Sequence, residues 1–193
     1  MKYRRVLLPI ATATATALAS PLRAQISITP MVGGYIPASD IHQVSGNAQS
    51  IAKTREGTLS LGANVDFGIL RVTGAYASGT TIKNASKQDI GKGSVGALAA
   101  DLVIRPLPRI LVQPYLIAGA GEKFDHFDNS TTLISGNNTT NFAFHGGLGA
   151  DVMLGKIGVA AELTDFLSKG ADEDKWNVHD AFLMVGLKFR LGQ

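Results

Sequence analysis

Two stretches of the sequence have residue types and spacings that could do chemistry. Gly91, Gly93 and Gly96 fit the spacing G-x-G-x-x-G, which binds a dinucleotide when a strand precedes it and a helix follows. Here a polar stretch precedes the glycines and a strand-like stretch follows, so we expect no nucleotide site. The second candidate is His145, because an imidazole beside the carboxylate of Asp151 or Glu162 could act as a general acid–base pair.

The residues around His145 have the period of two that is typical of β-strands. From Phe142 to Leu154 apolar residues occupy every second position except Gly146, and the residues between them are mostly small or polar. The pattern resumes at Ile157 after a Gly155-Lys156 turn. Two such runs around a two-residue turn predict a β-hairpin. Each run has about ten or more residues, roughly the length that a tilted strand needs to cross a bilayer.

The same alternation recurs along the chain and predicts eight strands, joined alternately by long polar loops and tight turns. The predicted strands are 26–35, 57–67, 69–78, 95–105, 110–124, 141–154, 157–167 and 180–191, and the long loops are 36–56, 79–94, 125–140 and 168–179. An even number lets the last strand pair antiparallel with the first, which leaves no unpaired edge in lipid. We therefore predict an all-β fold, an eight-stranded antiparallel up-and-down transmembrane β-barrel.

The first residues have the three zones of a secretory signal peptide: basic residues, an apolar run and then small residues. We predict that residues 1–24 are removed by cleavage after Ala24, with Ala19 as the alternative site. Residues 25–193 then form one barrel domain.

The composition of the mature chain excludes several classes of site. Loss of Lys2, Arg4, Arg5 and Arg23 lowers the basic residues from 18 to 14, against 15 acidic ones, so the net charge gives no reason to expect nucleic-acid binding. The chain has no cysteine, which excludes disulfides and thiolate metal sites. We expect neither a cofactor nor a metal.

If the apolar positions of the strands face lipid, the alternate positions face the barrel interior, and eight of these carry charges. They are Asp66, Arg71, Asp101, Arg105, Asp151, Glu162, Lys188 and Arg190. The interior of an eight-stranded barrel is just wide enough for its side chains to fill. We therefore expect these four acids and four bases to pair with one another rather than to line a wide pore.

Aromatic residues lie near the ends of the predicted strands, as in the girdles at the two membrane interfaces. They are Tyr35, Phe67, Tyr76, Phe124, Phe142, Phe166 and Phe189. Two prolines, Pro30 and Pro114, lie inside predicted strands, and each removes a donor from the ladder. We expect these strands to begin later or to contain bulges. For the strand at 110–124, the sequence does not decide which side chains face the barrel interior.

Besides the strand pattern, two sequence motifs resemble those of a known protein family. Gln113-Pro114-Tyr115 is followed by Gly119-Ala120-Gly121, and the chain closes with the run Gly186-Leu187-Lys188-Phe189-Arg190-Leu191. With the alternation of long loops and short turns, these motifs resemble small bacterial outer-membrane β-barrels similar to the transmembrane domain of outer membrane protein A. The resemblance implies an outer-membrane location for this chain.

The resemblance also implies a role for the last strand. Gly186, Phe189 and Leu191 match the C-terminal assembly signal of that family, which the barrel-insertion machinery reads. The sequence departs from the pattern at Met184, where a polar residue is usual, and it ends on Gln193 rather than on an aromatic residue.

The expected function is a structural or surface-interaction role through the four long loops, with the barrel surrounded by outer-membrane lipid. Lys83, Lys87 and Lys92 of the second loop could contact lipopolysaccharide phosphates, and we expect a monomer. The alternatives are a narrow, porin-like conduit and a soluble, exported, lipocalin-like binder, which would turn its apolar face inward around a ligand.

A lipid-modifying barrel enzyme is a further alternative. A lipid A deacylase would need a nucleophilic serine adjacent to His145, but Gly146 and Gly147 occupy those positions. We therefore do not expect an enzyme.

Overall fold

The computed structural model describes residues 26–39, 41–45, 49–83, 89–107, 111–127, 139–169 and 176–191, with the backbone alone at 41–45, 49–54, 90, 127 and 177. Its strands are β1 (Ile26–Pro37), β2 (Ile41–Ser45), β3 (Gln49–Arg55), β4 (Thr58–Phe67), β5 (Leu70–Lys83), β6 (Asp89–Ile104), β7 (Val112–Phe127), β8 (Thr139–Leu154), β9 (Ile157–Lys169) and β10 (Trp176–Leu191). Among these residues there is no helix with the length and hydrophobicity to cross a membrane. The predicted signal peptide lies outside the described residues.

Eight strands close into a barrel of antiparallel pairs in the order β1, β4, β5, β6, β7, β8, β9 and β10, with β10 pairing back to β1. Paired residues can be followed around the barrel from Met31. One direction leads to Asn141 of β8 and the other to Asp151, so the strands are staggered by ten residues. This stagger tilts the strands and gives an interior that side chains can fill. The predicted all-β, eight-stranded barrel is confirmed.

Tight turns join the strands at one end of the barrel, here called the turn end. Gly68 and Gly155 each have φ 69°, a left-handed conformation that glycine adopts without steric cost. They let Phe67 pair with Leu70, and Leu154 with Ile157, across two-residue turns. The predicted turns at Gly68 and at Gly155-Lys156 are confirmed, and the third predicted turn, between residues 105 and 110, lies partly outside the described residues. The opposite end of the barrel is called the loop end.

Large apolar side chains face outward from every barrel strand. Examples are Val32, Leu61, Val72, Leu102, Leu116, Leu148, Leu163 and Leu183, which are all between 42% and 65% exposed. The alternate positions, such as Thr29, Asn64 and Thr73, are buried inside. The lipocalin-like alternative is therefore wrong, because it requires the apolar face inside and the polar face outside.

The predicted strands stop too early at the loop end. β5 continues to Lys83 and β6 begins at Asp89, so most of the predicted loop 79–94 is strand. The predicted loop 36–56 contains the β2–β3 hairpin. Backbone pairing does not require apolar side chains, so a change to polar composition marks the end of the apolar outer surface rather than the end of the strands.

Pro30 does not interrupt the barrel as expected. The register between β1 and β10 is the same on both sides of the proline, with Ile28 opposite Phe189 and Met31 opposite Gly186. Pro114 of β7 is likewise opposite Ala150 in an unshifted ladder. The expectation of a bulge or a later strand start is wrong, because the neighbouring pairs hold the register when one donor is missing.

Two of the predicted girdle aromatics lie inside the barrel. Tyr35 and Phe166 are buried, whereas Phe67, Tyr76 and Phe124 are exposed on the outer surface as expected. The interior position of the first two follows from strand parity, since each is an even number of residues from a buried polar position on its own strand.

Arginine substitutions at Leu183, near the middle of β10, and at Leu154, beside a turn, should measure the depth of the outer surface in lipid. We expect Leu183→Arg to lower the free energy of unfolding by about 2–4 kcal/mol and Leu154→Arg by about 0–1 kcal/mol. Guanidinium unfolding in phospholipid vesicles would measure both. Equal losses would contradict a membrane-spanning outer face.

Candidate functional site in the barrel interior

The charged residues near the turn end form one connected group, here called the lower charge cluster. Arg71 of β5 lies at its centre and is 2% exposed. Its Nε donates to Asp66 Oδ1 at 2.5 Å, and its Nη1 donates to Glu162 Oε1 at 2.6 Å. The guanidinium thus links β4 to β9 across the interior with two charge-assisted hydrogen bonds.

Two further bases complete the lower charge cluster. Lys188 Nζ lies 2.9 Å from both Asp66 Oδ2 and Asp151 Oδ2. Arg105, partly exposed at the turn end, lies 3.8 Å from Asp151 and 4.0 Å from Asp66. Arg71, Arg105 and Lys188 therefore balance the three acids one for one, which buried charges require.

Neutral side chains bind the remaining lone pairs of Glu162. The Tyr115 hydroxyl donates to Oε1 at 2.6 Å, and Asn64 Nδ2 donates at 2.9 Å. The guanidinium carbon of Arg71 lies 5.1 Å from the Tyr115 ring centroid. A Cβ at Gly149 would lie 2.6 Å from that ring, so glycine at this position leaves the space that Tyr115 occupies.

His145 pairs with an acid other than the two expected. Its Nδ1 lies 2.7 Å from Asp101 Oδ1, and Thr73 donates to the other oxygen of Asp101 at 2.6 Å. The expectation of Asp151 or Glu162 as partner is wrong, because the stagger of the barrel places Gly119 of β7 opposite both Asp101 and His145. A Cβ at Gly119 would lie 2.2 Å from Asp101 Oδ1.

The surroundings of His145 are those of a packed side chain. Its ring stacks on Phe166 with centroids 4.1 Å apart, and neither the imidazole nor the Asp101 carboxylate has exposed surface. A substrate in the surrounding lipid would have no access to this pair, so the geometry gives no support to acid–base catalysis.

A second charged group, here called the upper charge cluster, lies toward the loop end and consists of Tyr35, Arg55, Lys123, Asp125 and Asp180. Arg55 Nη2 donates to Asp125 at 2.6 Å, and Nη1 donates to Asp180 and to the Tyr35 hydroxyl oxygen, both at 3.1 Å. Lys123 Nζ lies 3.4 Å from Asp125 and also binds Asp180. Two bases thus balance two acids.

An apolar group of buried residues lies between the two charge clusters. Phe166, Phe182, Met31 and Met184 provide its large side chains, and alanines on β5, β6 and β8 provide the small ones. Gly62 leaves space for Met184, since a Cβ there would lie 2.9 Å from the methionine sulfur. Pairing large with small residues fills the interior without voids.

The eight charges predicted to face the interior differ in their surroundings. Asp66, Arg71, Asp151, Glu162 and Lys188 are buried in the lower charge cluster, and Asp101 is buried beside His145. Arg105 is partly exposed at the edge of that cluster. Arg190 is partly exposed near the turn end and forms no ion pair among the residues that the structure describes.

The sequence analysis missed the upper charge cluster. Arg55 and Asp125 lay in predicted loops, and Lys123 lay in the strand whose facing was left open. Lys123 and Asp125 are separated by two, so a continued strand alternation would have indicated a shared interior face.

The residues proposed as an assembly signal lie in β10. A Cβ at Gly186 would lie 2.3 Å from the Pro30 carbonyl oxygen, so a side chain there would force β1 and β10 apart. Leu191 is exposed at the turn end, and Phe189 is half-buried beside it. Recognition of Phe189 and Leu191 by the insertion machinery stays a prediction.

A test of the lower charge cluster is Glu162→Gln, which keeps the volume but removes one of the two carboxylates that pair with Arg71. We expect a loss of about 3–5 kcal/mol in the free energy of unfolding, since the buried cluster then holds three bases against two acids. Lys83→Gln, which breaks an exposed pair with Glu56, is the control and should cost less than about 1 kcal/mol. Guanidinium unfolding would measure both, and similar losses would refute a structural role for the cluster.

The barrel architecture of this chain is similar to that of known proteins. No family model and no curated protein matches the sequence. The outer membrane protein OprG from Pseudomonas aeruginosa has a similar structure, with a TM-score of 0.64 and 14% identity over 88% of this chain and 97% of OprG. Neisserial surface protein A gives 0.51 and 16%, over 86% of this chain and 97% of that one. The chain therefore has the fold of the small bacterial outer-membrane β-barrels.

Proposed function

We propose that this protein is a bacterial outer-membrane barrel with a structural or surface-interaction role, in which a closed barrel presents four loop regions at the cell surface. The observation that carries the proposal is the combination of a continuous apolar outer surface with an interior filled by balanced charges. Such a barrel is stable in lipid and needs no ligand to complete its core.

The packed interior supports this role over a conduit. Arg71 and Glu162 join opposite walls, and Tyr115 binds Glu162 at the same level. An ion that passes this level would have to displace buried, hydrogen-bonded charges, which is energetically costly. Among the described residues we find no feature that favours conduction.

Outer-membrane lipid is the proposed surrounding partner, with lipopolysaccharide at the loop end. Lys92 is exposed on β6, and Lys83 is partly exposed where its ammonium binds Glu56. The ammonium of Lys83 donates a hydrogen bond to the Glu56 carboxylate, and this bond raises the pKa of Lys83. Lys87, the third lysine of this set, lies outside the described residues. We further propose that the protein works as a monomer and that the insertion machinery reads Gly186, Phe189 and Leu191.

The proposed location and fold are tested by gel mobility of unboiled and boiled protein from a washed outer-membrane fraction. A closed barrel keeps its compact form in detergent until it is heated, so we expect faster migration before boiling than after. Equal mobility together with recovery in the soluble periplasm would overturn the proposal.

The closed interior is tested by single-channel recording in planar bilayers. We expect no steady conductance from the wild-type protein, because Arg71 and Tyr115 both bind Glu162 across the interior. Reproducible single-channel steps that change when Glu162 is replaced by Gln would instead show a conduit through this cluster.

A further inference from the structure

We propose that a patch on the outer face of β8, β9 and β10, near the loop end, binds the phosphorylated amino-sugar headgroup of lipid A, the membrane anchor of lipopolysaccharide. This surface, here called the outer patch, consists of Phe142, Phe144, Asp165, Lys169, Trp176 and His179. The inference rests on the proposed function, because it needs the loop end to lie at the cell surface. It deepens that function by assigning the glycolipid to one site.

The aromatic side chains of the outer patch form a continuous surface. The rings of Phe142 and Phe144 have centroids 5.4 Å apart, and the Trp176 ring lies 6.1 Å from the first and 4.9 Å from the second. Lys169 Nζ lies 5.7 Å from the centroid of the Trp176 ring. All four side chains are exposed. Three rings and one ammonium group therefore face the surroundings of the barrel rather than its interior.

A β-bulge places Trp176 on this face. Residues two apart on a regular strand point to the same side, and Val178 is buried inside the barrel. The register between β9 and β10 shifts between Trp176 and Val178, so that Trp176 lies opposite the exposed Lys169. Bulges redirect single side chains and are over-represented beside functional sites. Here the irregular backbone brings the third ring to the outer patch.

A carboxylate interrupts the apolar outer surface just below the rings. One row of outward positions across β8, β9 and β10 is entirely apolar and consists of Leu148, Leu163 and Leu183. The next row toward the loop end has Asp165 between Gly146 and Ala181. His179 Nδ1 lies 2.6 Å from Asp165 Oδ2, and these side chains are 46% and 38% exposed. The small residues on both sides of Asp165 thus leave its hydrogen-bonding groups accessible in a shallow depression.

A membrane-interface girdle accounts for aromatic rings but not for these polar groups. Elsewhere on the barrel, Tyr76 and Phe124 are exposed on either side of Gly96, where a Cβ would lie 3.6 Å and 3.7 Å from their rings. Those rings cover a glycine, which needs no ligand. The outer patch instead combines its rings with an ammonium group and a His–Asp pair. A carboxylate that faces lipid tails is destabilising, so its position favours a polar ligand.

The groups of the outer patch match a phosphorylated amino sugar. The C–H face of a sugar ring packs on aromatic rings, and the three exposed rings provide such a surface. The Asp165 carboxylate and the His179 imidazole can bind sugar hydroxyl and amide groups. The Lys169 ammonium can bind a phosphate as a compact charge. A phospholipid headgroup such as phosphatidylglycerol has the phosphate but no sugar ring, so it would use Lys169 and leave the other groups unoccupied.

The test uses Trp176, the single tryptophan of the chain, whose fluorescence reports on the outer patch. The protein is folded in neutral detergent micelles and titrated with lipid A, with lipid A that lacks its phosphates, and with phosphatidylglycerol. We expect a saturable change in emission, because a phosphate bound by Lys169 moves the ammonium above the indole. Lipid A should reach half-saturation at a concentration at least about tenfold lower than phosphatidylglycerol, since the sugar adds ring contacts.

Matched substitutions test the cation and the rings separately. Lys169→Gln should raise the half-saturation concentration of lipid A about threefold to fivefold and remove its preference over the dephosphorylated lipid. Lys156→Gln removes the same charge from an exposed turn at the opposite end and should change neither value. Phe144→Leu should raise the half-saturation concentration about threefold to tenfold, whereas Phe124→Leu should leave it unchanged. Heat-dependent gel mobility confirms that each variant is folded, and Phe142→Leu replaces Phe144→Leu if the latter does not fold.

Equal half-saturation concentrations for lipid A and phosphatidylglycerol would show an unspecific interface girdle and overturn the inference. An unchanged value for folded Lys169→Gln would also overturn it, and weakening by Lys92→Gln instead would assign the glycolipid to the second loop region. Each of these results is compatible with a heat-dependent gel shift and an outer-membrane location. Failure of the outer patch is therefore distinguishable from failure of the proposed function.

Discussion

Closure of the strand ladder is the constraint from which the rest of the structure follows. A strand edge that faces lipid would leave backbone donors and acceptors unsatisfied, so a sheet that spans a membrane has to close on itself. Here the pair between β1 and β10 closes it, and Pro30 on β1 is tolerated because the pairs on either side hold the register. With eight strands staggered by ten residues, closure leaves a narrow interior into which half of the side chains must fit.

The small width of the barrel interior determines which side chains it can contain. Charges there are far from bulk water, and they are tolerated because each of the two charge clusters pairs its acids with an equal number of bases. The apolar group around Phe166 and Phe182 separates the clusters. Glycine at position 119 lets Asp101 and His145 approach across an intervening strand. The result is a core held by specific pairs rather than by apolar burial alone.

The two charge clusters lie at different levels of the barrel, one near the turn end and the other near the loop regions. The lower charge cluster ties the walls together near the turn end, and the upper charge cluster does so toward the loop end, where Arg55 pairs with β5 in the same register as β4. One side chain thereby connects the first long loop region to the interior. A barrel built in this way can vary its loops without disturbing the lower half of its core.

The sequence by itself determined the barrel, its strand number, its tight turns and the outward apolar face, because each strand repeats a period of two and each turn requires its own residue types. The same period placed Asp66, Arg71, Asp151, Glu162 and Lys188 on the inner face. Pairing partners depend instead on the stagger between strands far apart in the chain. That stagger brought His145 to Asp101 and the Tyr35 hydroxyl to Arg55. The tertiary structure alone brought Arg55, Asp125 and Asp180 together, because they lie on strands that are far apart in the sequence.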